Sequence, residues 1–309
     1  MTNPKAIDPA ADRRFRNLLL ATALMVYLLI VIGGIVRVTG SGLGCPDWPR
    51  CFGQWIPPLR MDAIIEYVHR LVATITSPLI LASAVVAWWR FRDVRLASRP
   101  LLYAIILLAV QGLLGGIVVL LETPPDLVAL HLGIAFLIQA LVVLPAVLMS
   151  LLSKAQAVSA RLDFSSPFAR LSLYMLIFVF VMIVSGAIVV GSSSTYACSG
   201  WPLCNGRLIP ANLNGYYHMF HRLMVLITSI YIVRAFLAAR REYAKTDAIH
   251  RTANTLLWLF LTQAAVGGLK TSFAFPIWLL GTHVALASAV WVAAIVLASL
   301  AGLESQTST

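Results

Sequence analysis

Long apolar runs, broken by short stretches rich in Arg, Gly and Pro, dominate the chain. Each run is long enough for a helix that crosses a hydrocarbon core, which takes about 20 residues. Eight are expected, at 17–37, 62–88, 101–121, 127–150, 168–190, 215–239, 253–271 and 277–301. No stretch alternates apolar and polar residues as a membrane-barrel strand does. The predicted class is an all-α integral membrane protein. The first run follows Arg13, Arg14 and Arg16 as a signal sequence would. It is too long and lacks a clear small-residue cleavage site, so it reads as a retained helix.

Composition agrees. Of 309 residues, 60% are hydrophobic and 11% charged, against about a quarter charged in soluble proteins. The net charge of +11 would suit a nucleic-acid binder, but its distribution excludes one. The N-terminus and the loops after spans two, four and six hold fifteen Lys and Arg; the opposite loops and helix ends hold five, Arg37, Arg50, Arg60, Arg207 and Lys270. This is the positive-inside bias, and it predicts cytoplasmic termini in a cell membrane. Cys45, Cys51, Cys198 and Cys204 then lie outside, in an oxidising compartment. Two local disulfides, Cys45–Cys51 and Cys198–Cys204, are expected. A pair that shuttles electrons is the alternative.

Shifting the chain by 152 or 153 residues overlays its chemistry. CPDWPRC falls on CSGWPLC, His69-Arg70 on His221-Arg222, Gln111, Gly115 and Gly116 on Gln263, Gly267 and Gly268, His131 on His283, and Ile35-Val36 on Ile188-Val189. Several matches in one register indicate duplication. The expected architecture is two tandem pseudo-symmetric four-helix bundles, residues 1–155 and 156–309, with equal orientation about an axis along the membrane normal. Residues 151–167 would connect them, and loops 38–61 and 191–214 would cover the bundles' outer ends.

His69, His131, His221 and His283 each enter a span from the outer side at similar depth. Ionisable residues inside spans are costly and usually functional. Two imidazoles on facing helices are an ordinary way to grip a haem iron. Zinc or copper would also accept imidazole, but would usually recruit further ligands that neither half supplies in register. The glycines of QGLLGG and QAAVGG would let a flat macrocycle, or simply a neighbouring helix, come close. Arg70 and Arg222 are candidates for propionate contacts; capping of loop carbonyls or reach to the surface is the plainer alternative. His250 lies among charged residues and reads as solvated. Tyr67, Tyr216 and Tyr217 read as interfacial belt residues.

The halves differ at one position of interest. Glu66-Tyr-Val-His69-Arg70 faces His218-Met-Phe-His221-Arg222. Glu66 is one turn from His69 on the same face. A carboxylate beside one porphyrin can act as acid, base or charge stabiliser, or merely pair with Arg70. The first half is therefore expected to do chemistry, and the second to hold a more permanent haem.

GGIVRVTGSGLGCPDWPRC, EYVHR, HMFHR and GTHVALAS together resemble the haem A synthase family, in its bacterial branch with both cysteine pairs. The resemblance spans roughly residues 17–301. It implies oxidation of a ring methyl of haem O to a formyl group, giving haem A for terminal cytochrome oxidases. It implies that His69 and His131 flank the substrate, with Glu66 catalytic, and that His221 and His283 ligate a haem b cofactor. An electron acceptor is required; no flavin or nicotinamide fingerprint is recognisable, and the acceptor is not specified. Haem O synthase and oxidase assembly factors are implied partners. The rival readings are a two-haem electron carrier and a haem transport or assembly factor.

Overall fold

The computed structural model describes residues 9–152, 161–192, 194–273 and 275–304. Among these it is entirely helical. The helices are α1 (Pro9–Val38), α2 (Met61–Arg90), α3 (Arg95–Leu120), α4 (Pro125–Leu152), α5 (Pro167–Gly191), α6 (Leu213–Glu242), α7 (Ala248–Ser272) and α8 (Ile277–Glu304). Short 3-10 turns, Ser41–Leu43 and Ser194–Tyr196, begin the two long loops. Every expected span is present as a helix. Seven are long and apolar enough to cross a membrane. The exception, α7, has the length but carries Asn254, Thr262, Gln263 and Lys270. The chain is a multi-pass membrane protein.

Several helices run further than their apolar cores. α1 includes Arg13, Arg14 and Arg16, α3 starts at Arg95 rather than 101, and α6 runs on through Arg240 and Arg241. Hydrophobicity marks the hydrocarbon depth, whereas backbone hydrogen bonding continues into the headgroup zone. Caps then set the ends. Ser166 accepts from the Ala169 amide ahead of Pro167, Asn212 from Gly215, and Asp247 from Ile249. Of the expected connector at 151–167, residues 153–160 lie outside the described residues, and so does the expected boundary at 155.

Helices α1–α4 close a ring through α1–α2, α2–α3, α3–α4 and α4–α1 packing; α5–α8 close another through α5–α6, α6–α7, α7–α8 and α8–α5. The rings meet along α1–α8, α4–α5 and α4–α8. Polar contacts cross that seam. Gln139 and Ser288 bond to each other, and the Trp291 indole N–H donates to the Phe136 carbonyl at 2.8 Å. The Phe136 ring meets Trp291 edge-on, with centroids 6.5 Å apart. At the loop end, Arg37 of α1 donates to the carbonyls of Val190 and Gly191. It thereby caps the C-terminus of α5, where backbone acceptors have no helical partner.

Candidate haem-binding cavity

Both cysteine pairs are closed as disulfides, each joining cysteines at a sequence separation of 6. Each bond pinches a loop that turns back over the end of its ring. At Gly44 the first loop runs hard against α2, where an added Cβ would lie 2.3 Å from the Asp62 carbonyl oxygen. This close approach brings the Cys45 amide to Glu66, and it donates to Oε2 at 2.8 Å.

Glu66 is buried, at 3% exposure. Its second oxygen pairs with Arg70, one turn on. Arg70 in turn donates to the carbonyls of Asp47, Arg50 and Cys45. A guanidinium has five N–H groups, so Arg70 keeps only Nε–H uncommitted. Arg222 also braces its loop, through the carbonyls of Pro202 and Gly200. Among the described residues no carboxylate pairs with it, and it keeps three N–H groups. Both arginines therefore cap loop carbonyls, and the pairing of Glu66 with Arg70 is real.

Asp47 closes the first loop. Its carboxylate accepts the amides of Phe52 and Gly53 at 2.6 and 2.8 Å. These bonds, that from Gly53 foremost, hold its pKa below the ordinary carboxylate value against a partial cost of burial. A depressed folded pKa means the contribution is complete above the unfolded value of 3.8 and is lost as pH falls through the folded one. The second loop is closed by Asn205, which accepts from the Ser199 amide and donates to the Ala197 carbonyl; it does not titrate. Acidification below about pH 4 is thus expected to loosen the first loop alone. Amide exchange of both loops at matched pH tests this, and Asp47→Asn should abolish the pH step.

A cavity of about 1790 Å³ runs beneath both loops and through both rings. His69, His131, His221 and His283 all line it. Within each ring the two histidines stand on opposite corners, α2 and α4 or α6 and α8, and within electrostatic reach of each other. In His69, His131 and His283 the Nδ1 atom is buried without a hydrogen bond, leaving Nε2 as the nitrogen that faces the cavity. Each ring brings its Cε1 corner against a glycine. Added Cβ atoms at Gly33, Gly115, Gly186 and Gly267 would lie 2.9, 3.2, 3.0 and 3.0 Å from Cε1 of His69, His131, His221 and His283. Any side chain there would push an imidazole off its axis. Among the described residues no group of three or more His, Cys, Asp or Glu gathers to hold a bare ion. Two opposed imidazoles above an apolar cavity fit the iron of a porphyrin, whose ring supplies the other four donors.

Gly115 and Gly267 belong to the paired-glycine motifs already noted and Gly33 opens GGIVRVTGSGLGCPDWPRC, but the place of Gly33 and Gly186 beneath a histidine is new. They were legible as the same 153-residue register extended from Ile35/Ile188 by two positions. Trp48, whose indole covers Gly116, was legible only as part of the loop motif. His221 carries a further difference from His69. Its Nδ1 is held by the Ser185 hydroxyl at 2.9 Å and the Met182 carbonyl at 3.1 Å; the residue in register with Ser185 is Ile32. His250, expected to be merely solvated, is half-buried and meets the Tyr243 carbonyl at 3.3 Å, because α7 begins early and folds its first turn over the end of α6.

Among the described residues, eight helices around a cavity lined by two histidine pairs define a multi-pass helical membrane protein with a chamber inside its bundle. The chain belongs to the COX15-CtaA family: residues 16–295 match the family described as cytochrome oxidase assembly protein. Its relatives include proteins named Heme A synthase. That of Geobacillus kaustophilus is 32% identical over 254 residues, 81% of this chain and 79% of its own. That of Alkalihalophilus pseudofirmus is 31% identical over 268 residues, 84% and 88% of the two chains. That of Bacillus licheniformis is 30% identical over 261 residues, 83% and 85%.

Proposed function

We propose that this chain is a haem A synthase, oxidising a ring methyl of haem O to a formyl group. Family membership and the names of its relatives support the activity. The observation that carries the reading is the placement of Glu66 in a cavity lined by opposed histidines.

In this reading the chain is an internal duplication with a boundary near residue 155, and its two rings are pseudo-symmetric halves. The repeat in the sequence and the matching glycine beneath each histidine support it. His69 and His131 flank the substrate; His221 and His283 ligate a resident haem b, which supplies one-electron redox chemistry at its iron. The Ser185 and Met182 bonds orient His221 and fix which nitrogen is free, as partners beyond the ligand commonly do for metal-bound imidazoles. His69 has no such bond, which suits a site that must release its product. The loops with the disulfides face outward and both termini face the cytoplasm, in keeping with the excess of Lys and Arg at the other end.

The chemistry asked of the chain is proton handling beside a carbon that loses electrons and gains oxygen. Glu66 is held in place by the Cys45 amide and Arg70. It can take the proton of a water that adds to the oxidised methyl carbon. The electrons leave for an acceptor outside the chain.

The test is the pigment. Full-length protein produced beside a source of haem O is expected to yield haem A, or a hydroxylated precursor, on extraction. An extract holding only haem b would instead indicate an electron carrier, and haem O released unchanged would indicate a transporter.

A further inference from the structure

We propose that the second half carries a carboxylate-binding site built from Lys270, Arg222 and His218, made for the acid side groups of the porphyrin it holds, and that the first half lacks it. The inference rests on the haem reading above and assigns residues that reading leaves idle.

Lys270 stands in the last turn of α7 and lines the cavity. It has no hydrogen bond or ion pair with any described residue. It is within electrostatic reach of Arg222, His218, His221 and His283. Arg222 keeps three N–H groups beyond its two loop bonds. His218 is buried, at 4% exposure, and lines the same space. Neither of its ring nitrogens has a hydrogen bond; the Thr195 backbone faces it without closing one. Among the described residues lining the cavity, the only acid is Glu66, on the other side. Two cations and an open imidazole thus converge with no counter-ion, in a setting where an unpaired charge is expensive. A ligand with carboxylates completes them. Bidentate or charge-assisted bonds to carboxylate are what such groups make best.

The first half differs in residue at two of the three positions in register, and in how the third is used. Val118 stands for Lys270 and Glu66 for His218, and Arg70 is already spent on Glu66 and three carbonyls. One pocket is left cationic and the other internally neutralised. A tightly kept cofactor and an exchangeable substrate call for that difference.

The experiment uses the full-length chain with His131→Ala, so that only the second pocket has both histidines. It is titrated with ferric haem and with haem dimethyl ester, and binding is read from the Soret band. The parent is expected to prefer the free acid. Lys270→Met should weaken haem binding by roughly ten- to a hundredfold, leave ester binding unchanged and so erase the preference. Lys270→Arg should restore it. In a His283→Ala background the Lys270 change should have no effect on the first pocket. Equal losses for acid and ester would mean that Lys270 only supports the fold or reaches for the surface, and would overturn the site. A parent that binds acid and ester alike would overturn it too, with the haem reading intact. A parent that takes up no haem would bring down both.

Discussion

Glu66→Gln is expected to reduce conversion of haem O by roughly 10² to 10⁴, the span for loss of a positioned acid–base group, while both haem sites still fill. The geometry explains why the change is clean. Glutamine keeps an oxygen that can accept the Cys45 amide, so the loop should stay attached to α2. It loses the negative charge that pairs with Arg70 and the capacity to take a proton. Extracted pigment should then be haem O and haem b with little haem A, and the Soret band should be retained. Full conversion by the glutamine variant would remove Glu66 from the mechanism.

Gly33→Val and Gly186→Val should each cost the protein one haem, and a different one. Each new side chain would begin within about 3 Å of a histidine ring carbon, 2.9 Å at His69 and 3.0 Å at His221. The imidazole must turn or retreat. A misdirected ligand loses affinity on the scale seen when its orienting partners are removed, about ten- to a hundredfold. The Gly33 variant should keep the resident haem b and lose substrate binding; the Gly186 variant should do the reverse. Low-spin haem counted spectroscopically per chain, with the extracted haem type, distinguishes them. Gly281→Ala is the control, because an added Cβ there meets nothing within 4 Å, the residue does not line the cavity, and alanine is the better helix former by about 1 kcal/mol. Full haem content in both valine variants would mean that the glycines serve helix packing alone.

Much of this site was readable before any coordinates. The histidines stand out because ionisable residues are rare in apolar runs, and the cysteines because topology puts them in one compartment. Glu66 stands out because a repeat displays its own exceptions. The roles of Arg70 and Arg222 were not readable. A guanidinium one residue after a cavity-lining histidine can reach into the cavity or to a loop carbonyl, and only the path of the loop decides how many of its N–H groups are spent there. Ser185 and Lys270 were missed for a related reason. The residues in register with them, Ile32 and Val118, are apolar and lie among many such mismatches, and each polar residue matters only through what it faces on another helix.

Eight helices, their order and the placement of both cysteine pairs at one end of the bundle follow from local properties: apolar length, charge at the ends of spans and the spacing of like residues. These hold whatever the helices later pack against. Packing alone decides that α1 and α8 share a seam, that the Cys45 amide reaches a carboxylate 21 residues away, and that His221 is pinned while His69 is not. Such contacts depend on where separate helices come to rest, to within a fraction of an ångström. That position is set by many side chains at once rather than by any motif.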